Sequence, residues 1–366
     1  MCGIVGFTGA VQAAPILLDG LRRLEYRGYD SAGVAVFDGE RIEMVKASGS
    51  VANLAERTGN GSQLNGECGI AHTRWATHGA PTDTNAHPHL SEHGLFAVVH
   101  NGIIENFAVL RKELEAEGYV FRSETDTEVV AHLLEKYYDG DFKRTVMRTA
   151  SRLEGSYVLG VLCAKEPGRL FCVKEAGPLI LGLGVGENYF ASDVTALVSH
   201  TKNVIYMDDG ELAELTPERI VVYDRTGNEI TKTVSHVVWD IEAAEKGGYE
   251  HFMMKEIMEQ PRAVKSTVEP RIRDGKIHFE DFDLTAEELK GFNKIVITAC
   301  GSAYHAGVVG KYVIESLCRI PVECELASEL RYRNPIIDSH TLLIVISQSG
   351  ETADTIAAMR ECMSRG

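Results

Sequence analysis

The apolar pattern of the chain changes character near residue 240, and that change limits the folds open to it. Up to there, short apolar runs arrive in clusters, with helix-like segments grouped between them. Beyond it, two continuous apolar runs, KIVITA (294–299) and TLLIVI (341–346), each open onto a Gly/Ser loop and then a helix-like stretch. Grouped strands and helices predict a layered α+β domain. A buried strand, a tight loop and a helix, repeated, predict a doubly wound parallel α/β sheet. A length of 366 residues suits two such domains. The expected division is 2–240 for the first, 241–290 for a helical linker, and 291–366 for the first part of the second.

Local signals place the elements. AAPILLDGLRRLEYRG carries Ile16, Leu17, Leu21 and Leu24 at helical spacing, with Pro15 near its start. SAGVAVFDGERIEMVKASG predicts a hairpin around Asp38-Gly39. Strands are expected at CGIVGFTG, CGIAHTRW and LFAVVHNGII, then three helices, with Leu110 and Leu114 on the apolar face of one and Val130, Leu133, Leu134 and Tyr137 on the next. Residues 155–240 are strand-rich again. The linker reads as helical, interrupted at Gly247-Gly248 and Pro261. In the second domain a helix is expected from His305 and another over ADTIAAMRE. So small a parallel sheet would leave apolar faces and edges uncovered, so the chain reads as part of a longer protein.

Charge narrows the partners. Thirty-seven Lys+Arg against 53 Asp+Glu give a net charge of −16, which disfavours nucleic acid and anionic membrane. No apolar run approaches the ~20 residues that span a bilayer, and the N-terminus has no basic residue before Arg22 to make a signal peptide. A cytoplasmic enzyme is the expected class. The eight cysteines form no CxxC pair, which argues against a disulfide scaffold and a cysteine-rich zinc site. His72, His78, His87, His89, His93 and His100 crowd one stretch, but their spacings match no common zinc pattern. Neither a metal nor a cofactor is expected.

Cys2 stands apart because removal of Met1 would put a thiol and a free α-amine on one residue. An α-amine titrates at ~7.7–8.0, so part of it is neutral near pH 7. It can act as general base, directly or through one water, for a thiol titrating near ~8.5. A cysteine at this position can also be incidental. Four segments bear on the choice: CGIVG (2–6), GIAHTRWATHG (69–79), HNGIIEN (100–106) and SETDTE (123–128). Together and in this order they resemble the glutamine amidotransferases with an N-terminal nucleophile, and among these the glutamine–fructose-6-phosphate aminotransferase family. ACGSAYHAG (299–307) and SQSGET (347–352) resemble the sugar-phosphate isomerase (SIS) domain of the same family, so the resemblance covers the whole chain.

The resemblance implies an Ntn-hydrolase-like αββα domain, then a partial SIS-like doubly wound sheet. It implies that Cys2 attacks the glutamine amide and that the ammonia passes to fructose 6-phosphate, giving glucosamine 6-phosphate. Thiolate attack builds negative charge on the amide oxygen; Asn101 can offer its side-chain NH₂ and Gly102 a backbone N–H. Asn-Gly is also the commonest dipeptide of a type I′ turn. Arg74 suits a carboxylate and Asp126 an ammonium; the resemblance makes them the glutamine clamps, with Thr77 and His78 lining the pocket. Both are otherwise ordinary solvated charges. Arg27 resembles a residue beside the nucleophile, or serves as a cation at a helix C-terminus. Trp75 matches an aromatic over the ammonia route, or is a core aromatic.

In the second domain Ser347, Gln348, Ser349 and Thr352 are assigned by resemblance to the sugar phosphate, with Ser302 a further candidate. Hydroxyls at a helix start suit a phosphate, and they are also ordinary N-caps. No nucleotide P-loop occurs. Ala303 departs from the hydroxyl residue common in the family. The family's isomerising acid–base groups lie beyond residue 366, so this chain is expected to hydrolyse glutamine without making the amino sugar, and the family implies a homodimer for the intact protein. Two alternatives stay open: an amidotransferase with another acceptor, which would need a pyrophosphate or ATP motif, and a sugar-phosphate sensor, which would have no use for Cys2.

Overall fold

The computed structural model describes residues 2–76, 78–237, 248–249, 251–279, 284–348, 350 and 352–365. The chain forms two compact units, Met1–Lys255 and Glu256–Gly366.

In the first unit the chain runs β1 (Gly3–Thr8), α1 (Ala13–Leu24), β2 (Ser31–Phe37), β3 (Ile42–Ser48), α2 (Val51–Arg57), β4 (Cys68–Arg74), β5 (His89–Leu90) and β6 (Phe96–Ile104). The helices α3 (Phe107–Ala116), α4 (Glu128–Tyr137) and α5 (Phe142–Ala150) follow. Then come β7 (Gly155–Cys163), β8 (Leu170–Glu175), β9 (Ile180–Leu183), β10 (Asn188–Ala191), β11 (Asn203–Tyr206), β12 (Leu212–Leu215), β13 (Ile220–Tyr223), β14 (Glu229–Ile230) and β15 (Ser235–His236). The hairpin β2–β3 turns where expected: the Asp38 carboxylate accepts the N–H groups of Glu40 and Arg41 at 2.7 and 2.8 Å, and Gly39 supplies the positive φ of 105°.

Eight strands form one sheet in the order β15-β11-β9-β10-β1-β4-β2-β3, and seven form another in the order β14-β13-β12-β8-β7-β6-β5. Strand periodicity sorts their side chains into three cores. Val5, Phe7, Val34 and Val36 pack with Leu17, Leu18, Leu21 and Leu24 of α1. On the second sheet Phe96 and Val98 pack with Leu110, Leu114, Val130, Leu134 and Phe142 of the three helices. The alternate residues Ile4, Ala35 and Ile70 meet Ala97, Val99, Val158 and Cys172 between the sheets. The result is an αββα sandwich, the layering expected for this half.

The strand expected at LFAVVHNGII forms, and the alternative reading of its Asn-Gly falls away. Asn101-Gly102 makes no turn: both residues lie inside β6, whose pairing with β7 continues to Ile104↔Gly155. The ladder supplies their partners, so the turn propensity of the dipeptide goes unused.

The helix α6 (Phe252–Val268) begins in the last residues of the first unit, continues into the second and passes through Pro261 without a break; Gly247 lies outside the described residues. A hairpin of β16 (Ile272–Arg273) and β17 (Lys276–Ile277) and α7 (Ala286–Gly291) lead to β18 (Lys294–Ala299), α8 (Ser302–Cys318), β19 (Val322–Leu326), α9 (Ala327–Tyr332), β20 (Thr341–Ile346) and α10 (Ala353–Met363). The three longer strands are parallel, in the order β19-β18-β20. Val296 packs with Ala327, Leu330, Ala358 and Cys362 on one face, and Ile295 and Ile297 with Ile314 of α8 on the other. The sheet is therefore doubly wound. Two details depart from expectation: α8 starts at Ser302 rather than His305, because Gly301 at φ 58° turns the chain directly into it, and TLLIVI is half-buried along its length. Among the described residues no helix is long and apolar enough to cross a membrane.

Candidate active site

β1 runs between β10 and β4, and its antiparallel register with β4 pairs Gly3 with Thr73. Cys2, just ahead of β1, therefore comes alongside Arg74 and Trp75. The Cys2 Sγ accepts the Trp75 N–H at 3.1 Å. Burial pushes the thiol up from its ordinary value, against the pull of that N–H and of Arg74, while Asp30 adds to the push. From the facing sheet, Asn101 donates its side-chain Nδ2 to the Cys2 carbonyl at 3.3 Å.

Gly102 beside it has φ 121°, and a Cβ there would lie 2.0 Å from the Ser156 carbonyl oxygen across the ladder. No side chain fits. Gly102→Ala is expected to cost about 2–4 kcal/mol through strain and overpacking, and an alanine variant with an unchanged guanidinium unfolding midpoint would contradict this.

Arg74 is buried, and its guanidinium donates to the carbonyls of His78, Gly79 (3.3 Å) and Ala80 (3.2 Å). It is thus no solvated surface charge: it folds the loop after β4 around itself. Asp30 braces the same loop by accepting the Ala76 N–H at 2.5 Å, while its own N–H donates to the Arg74 carbonyl at 2.8 Å. Sequence reasoning missed Asp30; its only signal is its place at the entry to β2. The Trp75 indole is 55% exposed and lies on Gly28, where a Cβ would sit 2.7 Å from the ring. This is a surface aromatic seated on a glycine, not a core residue. The His78 ring meets Phe107 edge-on, with centroids 5.3 Å apart.

Asp126 is also buried; its Oδ2 accepts the Ile104 N–H at 2.8 Å and lies 3.9 Å from His100 Nδ1. Its loop is tied down at Glu128, whose carboxylate accepts the N–H groups of Arg122 and Ser123 and the Ser123 hydroxyl at 2.6–2.8 Å. Burial alone would raise the Glu128 pKa, but His132, Ser123 and these N–H groups outweigh it and hold it at about 2.

Four of the crowded histidines, His72, His87, His89 and His100, form a buried row beside this loop. His89 reaches Thr125 at 3.1 Å, and His87 and His100 reach Thr127 at 3.4 and 2.8 Å. Burial drives His72 down to about 3 and lowers the other three. His78 and His93 stand outside the row, His93 exposed and paired with Glu135. Among the described residues no group of side chains is arranged to hold a metal ion.

Arg27 donates to the Ser192 carbonyl at 3.0 Å and to Asp193 at 3.2 Å, beside the Tyr26 hydroxyl, which bonds the same carboxylate at 2.5 Å. Ser192 in turn exchanges hydrogen bonds with Ile4. Arg27 thus braces the strand that carries Cys2. Thr77 and Ser349 lie outside the described residues.

A second constellation lies in the parallel sheet. Ala299 and Ile346 are paired, so the loops leaving β18 and β20 start side by side, and they lead to helices on opposite faces. That divergence opens a crevice at the carboxyl ends of the strands, where ligands of such sheets bind. Ser302 opens α8, and Thr352 is the N-cap of α10. The Ser347 hydroxyl accepts the Gly350 N–H at 3.0 Å and lies 3.3 Å from the Thr352 hydroxyl. Gln348 is exposed beside them, and Ala303 follows Ser302 on α8.

The glutamine amidotransferase domain family matches residues 35–250, and the SIS domain family matches 288–366. The glutamine–fructose-6-phosphate aminotransferase (isomerizing) of Caldanaerobacter subterraneus is 56% identical, and that of Clostridium tetani 53%, each over all of this chain and 60% of its own length. The chain thus spans about 60% of the curated relatives it matches. A glutamine phosphoribosylpyrophosphate amidotransferase from B. subtilis shares the fold at 21% identity, with a TM-score of 0.56 over 95% of this chain and 69% of that one. The sandwich with Cys2 at its centre and the Gly/Ser loops of the parallel sheet fall within this kinship: the chain belongs to the glutamine amidotransferase family and carries an SIS domain after its amidotransferase domain.

Proposed function

We propose that the first unit hydrolyses L-glutamine at Cys2 and that, in the whole protein, the ammonia is delivered to fructose 6-phosphate to form glucosamine 6-phosphate. The observation that carries this reading is the convergence on Cys2 of the Trp75 N–H at its sulfur and the Asn101 amide at its carbonyl, with the buried Arg74 next to Trp75 in the chain. The Cys2 thiolate attacks the side-chain amide carbon of glutamine, and Asn101 and Gly102 stabilise the oxyanion. The C–N bond breaks, the nitrogen takes a proton and leaves as ammonia, and water cleaves the thioester to glutamate. The α-amine of Cys2, freed by loss of Met1, moves the protons. Arg74 and Asp126 hold the carboxylate and ammonium of glutamine, with Thr77, His78 and Arg27 around them, and Trp75 covers the route by which ammonia leaves. Ser302, Ser347, Gln348, Ser349 and Thr352 take the sugar phosphate at the crevice of the parallel sheet. The names of the relatives support this acceptor. The net charge of −16 supports the absence of nucleic-acid and anionic-membrane partners, and kinship with the aminotransferases supports a cytoplasmic homodimer for the whole protein.

The test supplies glutamine with and without fructose 6-phosphate and measures glutamate and glucosamine 6-phosphate separately. Glutamate release is expected in both arms. Protein that has shed Met1 and releases no glutamate rejects the reading; full activity in protein that keeps Met1 rejects the α-amine as the base, because an amide nitrogen is not basic.

A further inference from the structure

His72 lies on β4 two residues before Arg74, so strand alternation puts both side chains on the face that meets the second sheet. It is fully buried, and its Nε2 lies 2.9 Å from two oxygens, the His100 carbonyl and the Asn101 side-chain Oδ1. The backbone carbonyl cannot turn round and can only accept. Nε2 therefore carries a hydrogen, and the ring is a donor on this side. Among the described residues its Nδ1 is buried without a hydrogen-bond partner, which disfavours a second N–H there.

The consequence falls on Asn101. An N–H at His72 can face only the oxygen end of the amide, which leaves the NH₂ end for Cys2, where it donates to the Cys2 carbonyl at 3.3 Å. Without that N–H the amide can turn by half a rotation and present its oxygen to the developing oxyanion, which it would repel. The plane of the His72 ring is set in turn by His87, stacked 4.3 Å away at 19°.

We infer that His72 is a positioning residue for glutamine hydrolysis: its Nε2–H locks the Asn101 amide with its donors toward Cys2. The inference rests on the glutaminase reading above.

His72→Phe keeps a stacking ring and removes the donor, whereas His72→Gln restores an N–H at similar reach. In the full chain, His72→Phe is expected to lower kcat about 10- to 100-fold, within the loss of one oxyanion donor, with the KM for glutamine changed less than about twofold. His72→Gln recovers most of that loss. In an Asn101→Ala background, itself slower by roughly 10²–10³-fold, His72→Phe should cost nothing more, because the group it orients is gone. A purely structural role predicts losses that add in that background, and additive losses overturn the inference. Equal losses in folded Phe and Gln variants also overturn it.

Nitrogen-15 NMR of the wild-type imidazole gives a readout independent of turnover. A hydrogen on Nε2, with the Asn101 NH₂ slowed in exchange, supports the inference; a hydrogen on Nδ1 overturns it even in an active enzyme. Wild-type protein that holds the Nε2–H tautomer yet releases no glutamate rejects the glutaminase reading and leaves the His72–Asn101 contact standing.

Discussion

In the Cys2→Ala protein glutamate release falls by about 10⁴-fold or more while glutamine still binds. The loss is expected to be near-complete because no other thiol of the first unit is open to take over. Cys68 and Cys163 are buried in the sandwich and pushed up to about 12 and about 11 by that burial, and Cys172 is raised by the same cause. Binding persists because Arg74 and Asp126 are held by hydrogen bonds to the backbone that do not involve the sulfur. Equilibrium dialysis with labelled glutamine, beside a glutamate assay, separates the two quantities. Appreciable turnover in the alanine variant would move the chemistry away from Cys2. Cys2→Ser, with a hydroxyl far less acidic than a thiol, should be severely slowed.

Mild acid should remove a large share of the stability of the folded first unit. His72, His87 and His89 titrate well below their ordinary value in the fold, and His100 below it, because burial disfavours the charged ring. In the unfolded chain each titrates near ~6.5. Below that pH the unfolded state binds more protons than the folded one, so stability is retained above pH ~6.5 and lost as the pH falls through it. Each ring that stays neutral contributes about 1.4 kcal/mol to the loss between pH 7.5 and 5.5. The three rings held well below their ordinary value together lose about 4 kcal/mol, against a typical total of about 5–15. Other groups near the row do not cancel this. Lys46 is itself lowered to about 8 by burial, and Glu128, at about 2, loses its contribution only at lower pH. His93 has the opposite sign, its pKa raised by Glu135, but it is exposed and screened. Guanidinium titrations of the Cys2→Ala protein at several pH values measure the loss without catalysis. A midpoint that does not move between pH 7.5 and 5.5 would mean that the row takes up protons while folded.

Much of this architecture is written locally and could be read from the chain. The Asp38-Gly39 hairpin, the apolar stripe of α1, the buried face of α4 and the two strand–loop–helix units depend on neighbours a few residues apart, and there period and turn chemistry are reliable. What was not legible depends on pairing across the sandwich. β9, only four residues long and flanked by glycines, is strand because β10 and β11 pair with both its edges. The four row histidines are separated by up to 28 positions and read as a loose cluster until the sheets bring them together; Asp30 has no pattern of its own until the loop after β4 closes onto it. Cys2, Arg74, Asn101 and Asp126 could be named from the chain through the resemblance of the segments that carry them, though not the partners that hold them.

The ends of a chain are ordinarily where order fails first, since they are tied on one side only and fray at little cost. Here the leading residues enter β1, every residue of which is buried and which has neighbours on both flanks in the middle of an eight-stranded sheet. The proposed nucleophile, Cys2, is therefore followed directly by interior strand. β1 cannot peel away without opening the sheet at its centre, so the thiol proposed to react is anchored to the last cooperative unit to give way rather than the first. Chemistry carried by a chain end is in this way held as firmly as chemistry carried by a core.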